Sequence, residues 1–343
     1  MKYIKDLSID NFTKFSHAKF EFSKEINVFI GKNGTGKTHI LKLLYLIQRL
    51  SQSKYDSNSV IQSFKTIFRT ENLDSLIRNF QSDDFTINFH RLEDEKDYYL
   101  QYISTEKRID YKLPEKQETE GFYFPNQEII SSYLGFIPIY EKYDLGWEEN
   151  IYTAAKALFL PKLKETTSFQ KNILPKLASE LGGTLLKEEG KFYLQNQYGK
   201  IQTSLLAEGE KKLASLIYLI ENGTIHSNTI LFWDEPEIHL NPKLITVFTK
   251  IFNAMASEGV QVFLSTHDYL FSHQLSLLDE YRKDTTEEKV SEIKFFCLED
   301  TEEGVAVYSG KNLTEIPNNP ILEEFSNHYD RERELFVRAL KDE

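Results

Sequence analysis

Gly31-Lys32-Asn33-Gly34-Thr35-Gly36-Lys37-Thr38 follows directly on the apolar run Ile26 to Ile30 and precedes a predicted helix from about His39 to Leu50. Glycine reaches backbone conformations closed to other residues. Successive N–H groups of such a loop can therefore converge on phosphate oxygens at the positive end of the following helix. Lys37 would reach the β- and γ-phosphates, and Thr38 would offer its hydroxyl to Mg²⁺. A glycine-rich turn that binds nothing has the same composition, but the flanking strand and helix argue for the phosphate loop.

Two further stretches carry compatible chemistry. Thr229-Ile230-Leu231-Phe232-Trp233 ends in the adjacent carboxylates of Asp234 and Glu235. A parallel sheet buries such a run and opens its C-terminal end on the same crevice as the phosphate loop. Asp234 is then placed to hold Mg²⁺, directly or through water, and Glu235 to polarise the water that attacks the γ-phosphate. Val260 to Leu264 is a second buried run, followed by Ser265-Thr266-His267-Asp268. His267 at its mouth could donate a hydrogen bond to the γ-phosphate and so distinguish ATP from ADP.

The elements that must position these groups follow from periodicity. Tyr3 to Ile9, His17 to Phe22 and Ile26 to Ile30 read as strands, with Asn11 to Lys14 as a turn. One or two helices are expected in the polar stretch Ser51 to Gln81, with Phe64, Ile67, Phe68, Leu73, Leu76, Ile77 and Phe80 at helical spacing. Phe85 to Phe89 and Tyr98 to Ile103 alternate as strands around the acidic turn Glu93 to Asp97. A charged linker, Pro114 to Glu120, leads to the short strand Phe122 to Phe124, and Ile129 to about Lys176 is expected to be mainly helical with prolines as breaks. Leu185 to Glu188 and Lys191 to Gln195 form a hairpin candidate. Gly209 to Glu221, Pro242 to Met255, Asp268 to Glu280 and Ile321 to Leu340 read as helices, and Glu292 to Leu298 and Val305 to Tyr308 as strands. Strands alternating with helices imply a parallel sheet with flanking helices.

Composition narrows the classes. With 343 residues, 40% hydrophobic and 13% aromatic, the chain can bury a large core, read here as one domain with insertions. A formal charge of −12 and a pI near 5.3 give no overall attraction to nucleic acid or anionic membrane, although a local basic groove would survive that average. The single cysteine, Cys297, lies in an apolar run and fits a buried thiol in a reducing compartment. The first residues alternate apolar and charged, unlike a signal peptide, and no apolar run approaches the roughly 20 residues that cross a bilayer. Cytoplasm is the expected location.

Leu205-Leu206-Ala207-Glu208-Gly209-Glu210-Lys211-Lys212 opens the helix that precedes the Asp234 strand. With it, the order of motifs resembles the ATP-binding cassette superfamily, and within it the soluble SMC, RecF and OLD-type ATPases. Walker A matches Gly31 to Thr38, a Q-loop candidate Gln127, the signature Leu206 to Glu210, Walker B and the base Asp234 and Glu235, the D-loop Glu237 to Pro242, and the switch His267. More narrowly, Phe136 to Tyr143, Glu235-Pro236-Glu237 and Ser265 to Leu270 look like the stand-alone AAA-family ATPases encoded in bacterial anti-phage defence operons.

The resemblance implies an α/β P-loop NTPase fold: a head with a mixed or parallel central sheet, an antiparallel β subdomain and a helical insertion. The insertions fall at about 51–120 and 129–180, and 320–343 forms a helical tail. It implies ATP and Mg²⁺ as cofactors, with Gly31, Lys32, Asn33, Gly34, Thr35, Gly36, Lys37, Thr38 and Gln127 at the nucleotide, and Thr38, Asp234 and Gln127 at the metal. Lys37, Glu235 and His267 would be catalytic. In the family two copies pack head to tail on ATP, so Leu206, Ala207, Glu208, Gly209 and Glu210 of one copy would complete the site of the other, with the Gly209 N–H reaching the γ-phosphate. Ala207 departs from the usual serine. A homodimer or larger oligomer acting with a separately encoded effector, often a nuclease, is the implied assembly.

Phe12 and Lys14 could touch adenine, or Phe12 could pack in the core; His239 could serve the dimer interface or lie in a solvated loop. The alternative class is a repair-type ATPase that grips DNA directly. Its long heptad coiled coil between Walker A and signature is absent, and a basic face is visible only as Lys162, Lys164, Lys171 and Lys176. A membrane transporter's ATPase subunit fits the Ala207 and Glu208 departures and the long insertions poorly.

Overall fold

The computed structural model describes residues 3–78, 83–92, 94–115, 119–143, 146–282, 289–317 and 319–339. The expectations for Phe80, Glu93, linker residues 116–118 and tail residues 340–343 lie outside the described residues. The chain begins with strands β1 (Ile4–Phe12), β2 (Phe15–Glu21) and β3 (Ile26–Gly31), then helices α1 (Lys37–Leu50) and α2 (Ser57–Phe68). Strands β4 (Asp84–Arg91), β5 (Asp94–Ile103), β6 (Arg108–Lys112) and β7 (Glu120–Phe124) follow, then helices α3 (Tyr133–Lys142), α4 (Glu149–Ala157) and α5 (Ser168–Leu181). Next come β8 (Thr184–Glu188), β9 (Lys191–Asn196), β10 (Gly199–Gln202), α6 (Glu208–Glu221), β11 (Thr229–Asp234), α7 (Pro242–Ser257), β12 (Gln261–Thr266) and α8 (Tyr269–Glu280). Strands β13 (Ile293–Thr301) and β14 (Gly304–Gly310) and helix α9 (Pro320–Ala339) close the described chain.

The central sheet has the order β14-β13-β3-β12-β11-β7, with all neighbours parallel except the β13–β14 hairpin. Its inner strands are buried on both faces, as the unbroken apolar runs require. Alternation along each strand sends side chains to two cores. Phe29, Phe232, Phe263 and Phe296 join α1, α2 and the antiparallel sheet β2-β1-β4-β5-β6 on one side. Val28, Leu231, Trp233, Val262 and Leu264 join α5, α6, α7 and the 129–158 helices on the other. The phenylalanines form a stacked row across the parallel strands, with Phe232–Phe263 at 5.4 Å and Phe29–Phe296 at 5.4 Å between ring centroids.

Several local expectations are corrected. The acidic run is solvated as expected, with Lys96 and Asp97 exposed, but from Asp94 it belongs to β5 and not to a turn: Tyr98 donates to Asp94 at 2.6 Å, and His90 Nε2 lies 2.9 Å from Asp97. Pro138 and Pro175 lie inside α3 and α5 and break neither. Both prolines are exposed, so the helix carbonyl that each deprives of a donor can turn to water. Edge strands β6 and β10 were not anticipated. No described helix is long and apolar enough to cross a membrane.

Candidate nucleotide site

The loop after β3 is shaped by what surrounds it. Gly31 has φ +146°, and a Cβ there would stand 2.4 Å from the Leu298 carbonyl oxygen, while at Gly36, with φ +97°, a Cβ would meet the Phe15 ring at 2.9 Å. Only glycine satisfies both the backbone sign and the close approach. Lys37 opens α1, and its buried ammonium donates to the carbonyls of Gly31 at 2.8 Å and Lys32 at 2.9 Å. Burial lowers its pKa, and the carboxylates of Glu235, Asp234 and Glu237 pull it back up. Thr35 closes the loop by donating to the Lys32 carbonyl at 2.9 Å, while Lys32, Asn33 and Gly34 form an exposed rim.

Parallel pairing of β11 with β12 sets Asp234 beside Ser265. Thr38 donates to Asp234 Oδ2 at 2.7 Å, and Ser265 donates to Asp234 Oδ1. Burial raises the Asp234 carboxyl, and the two hydroxyls pull it down. Glu235 turns out of the strand with a left-handed φ of +46°, its N–H donating to the Ser265 carbonyl at 2.9 Å. That turn puts its carboxylate 2.8 Å from His267 Nδ1. Lys37, Thr38, Asp234, Glu235 and His267 thus meet at the C-terminal edge of β3, β11 and β12.

Gln127 follows β7 and lines, with Thr38 and Asp234, a cavity of about 270 Å³. Thr38, Asp234 and Gln127 offer oxygen donors of the kind a hard divalent cation takes, and Asn126 in the same wall has a buried Oδ1 without a partner among the described residues. The residues therefore fit Mg²⁺. Arg69, Trp147 and Asn150 also line this cavity and went unnoticed in the sequence. Arg69 and Trp147 carry no motif signal, whereas Ser265 was discoverable as the residue beside Asp234 once the two buried runs were paired. Segment 146–151 reaches the site because Glu148 and Glu149 pair with Lys42 and Arg49 of α1, the former pair at 2.7 Å.

The signature candidates gather at the start of α6, where Ala207 and Glu208 are exposed and Gly209 is buried. Ala207 caps α6 with no side-chain acceptor, and its N–H instead donates to Glu210 Oε2 at 2.9 Å. Glu208 is exposed and paired with Lys211 at 2.8 Å, which offsets a negative charge at an anion-favouring helix end. Leu206 packs on the core, and Gly209 is pressed against Leu240 and Leu244. Phe12 is fully buried, edge-on to Phe85 and Phe68, so core packing is its role; Lys14 is exposed and 4.0 Å from Asp300. His239 is exposed with φ +65°, and Lys162, one of the four lysines of the supposed basic face, is taken up by Glu221 at 2.8 Å.

Comparison with known proteins gives the chain a family and a fold. The family described as "AAA domain, putative AbiEii toxin, Type IV TA system" matches residues 26–272. An ATP/GTP phosphatase of Helicobacter pylori is 21% identical over 375 residues, covering 90% of this chain and 96% of that one. The DNA replication and repair protein RecF of Flavobacterium johnsoniae is 46% identical over 43 residues, and the match spans only 12% of either protein. In fold, the chain is similar to the Smc head domain with an extended coiled coil from Pyrococcus furiosus, bound to the C-terminal domain of ScpA: TM-score 0.56, 13% identity, 95% of this chain and 100% of that one covered. With well over half of its residues inside the family match, the chain belongs to this AAA-domain family and is an ATPase with the fold of the SMC heads.

Proposed function

We propose that the protein binds ATP along Gly31 to Thr38 and hydrolyses it with Glu235 as general base. The observation that carries this is the meeting of Lys37, Thr38, Asp234, Glu235 and His267 at one sheet edge. Lys37 and the loop N–H groups neutralise the phosphates; Glu235 orients water and takes its proton; His267 holds the Glu235 carboxylate through Nδ1. Thr38, Asp234 and Gln127 would hold Mg²⁺, which when bound stabilises charge on the phosphoryl oxygens.

In this proposal two copies pack head to tail, each supplying the α6 N-terminus to the other's nucleotide. Support comes from the exposed Ala207 and Glu208 at a helix end whose first N–H groups lack intrahelical acceptors. The cycle would control a separately encoded effector, such as a nuclease, in anti-phage defence. The toxin–antitoxin wording of the family description and the ScpA-bound state of the Pyrococcus Smc head favour a partner protein.

Glu235→Gln tests the core of this reading. It should leave ATP binding intact, abolish turnover and trap an ATP-bound dimer, read by hydrolysis rate and by mass with and without ATP. Unchanged hydrolysis would remove Glu235 from the mechanism. Native purification with neighbouring gene products, weighed the same way, separates a lone dimer from an effector complex.

A further inference from the structure

The loop that carries Glu235 is held from two sides. Glu235 and His239 both have left-handed φ, at +46° and +65°. Non-glycine residues there store roughly 1–2 kcal/mol each, so this segment stays in place only if its surroundings hold it. On one side stands α6. Lys212 is buried, and its ammonium donates to the Ile238 carbonyl at 2.6 Å and the Pro236 carbonyl at 3.3 Å, while Gly209 packs on Leu240 and Leu244. On the other side stands the end of β12. Glu237, also buried, accepts from the Thr266 hydroxyl at 2.5 Å, and that hydroxyl accepts from the Asp268 N–H at 2.9 Å. Thr266 immediately precedes His267, the partner of Glu235.

Together the two links join the signature helix to the catalytic pair. Lys212 ties the helix that begins at Ala207 to the backbone on both sides of Glu237. Glu237 ties that backbone to the residue before His267. A buried ammonium between carbonyls and a buried carboxylate on one hydroxyl are costly unless their geometry is kept, so the links resist independent movement. A second observation agrees: Glu237 Oε2 is buried without a hydrogen-bond partner among the described residues, so the Thr266 hydroxyl on Oε1 is the side chain that positions the carboxylate.

We infer that Lys212 and Glu237 are positioning residues that transmit the placement of the signature helix to the Glu235–His267 pair. This rests on Glu235 being the general base. Engagement of the α6 N-terminus by nucleotide in a second copy would then set the catalytic carboxylate in the first copy's own site.

The test is steady-state ATP hydrolysis by Lys212→Met, Thr266→Val and the double variant, beside Glu235→Gln. Methionine keeps the buried volume and removes the ammonium, leaving the Ile238 and Pro236 carbonyls without that donor. The expected result is a fall in kcat on the order of tenfold to a hundredfold in each single variant, with KM for ATP within about twofold. The double variant should be no slower than the worse single one, because the links act in series. An unchanged kcat, a loss carried by KM, or multiplicative losses in the double variant would overturn the inference. If Glu235→Gln still hydrolyses ATP, the parent assignment falls and this one with it; if Glu235→Gln is dead and Lys212→Met is not, only the relay falls. Should Lys212→Met not fold, Thr266→Val alone decides by the same kcat criterion.

Discussion

Glu237 shows how burial sets the charge of a single residue. Desolvation pushes its pKa up from the usual 4.5 to about 7, against the Thr266 hydroxyl, which pulls it down; Asp268 and Glu235 add to the rise. The cations Lys212 of α6 and Lys37 of α1 face it and pull the other way. Because the folded value exceeds the unfolded one, the contribution to stability is complete below pH 4.5 and is lost as pH rises through 7. At pH 8 the ionised, buried carboxylate costs on the order of 3 kcal/mol. Glu237→Gln should therefore raise the thermal midpoint by a few degrees at pH 8 and leave it nearly unchanged at pH 4.5, as calorimetry at the two pH values would show. Its place between Glu235 and Pro242 was legible in the sequence through the family resemblance that marks Glu237 to Pro242 as a D-loop. Its burial was not, because burial depends on α6 and β12, which are distant in the chain.

At the scale of elements, the strand, loop and helix from Ile26 to Leu50 were readable because local chemistry suffices there: an apolar run, glycines, then helical periodicity. The β11 and β12 strands were readable for the same reason. Edge strands β6 and β10 were missed because Arg108–Lys112 and Gly199–Gln202 are only five and four residues long and are fixed by the neighbours they pair with. The proline breaks in α3 and α5 failed because solvent can satisfy the freed carbonyls. Gly31 is the joint between strand and loop, and there the requirement is strict. Gly31→Ala sets a methyl against the Leu298 backbone in a left-handed conformation, and should lower stability by at least about 2 kcal/mol in urea unfolding while weakening ATP binding.

Over the whole molecule, one largely parallel sheet separates two cores. Beyond Ile321, α9 is almost wholly exposed, with Phe325 stacked on Tyr269 at 4.2 Å. Truncation after Leu322 should therefore shift the thermal midpoint by no more than about 3 °C, since an aromatic pair contributes roughly 1 kcal/mol. A larger shift would mean that the tail belongs to the folding unit. The sheet also encloses the chain's one thiol: Cys297 on β13 is fully buried, and its pKa is raised to about 11. A fluorophore or spin label coupled to a cysteine introduced at any exposed position will therefore report from that position alone, and the ATP cycle can be followed as distances in solution without first removing a native residue.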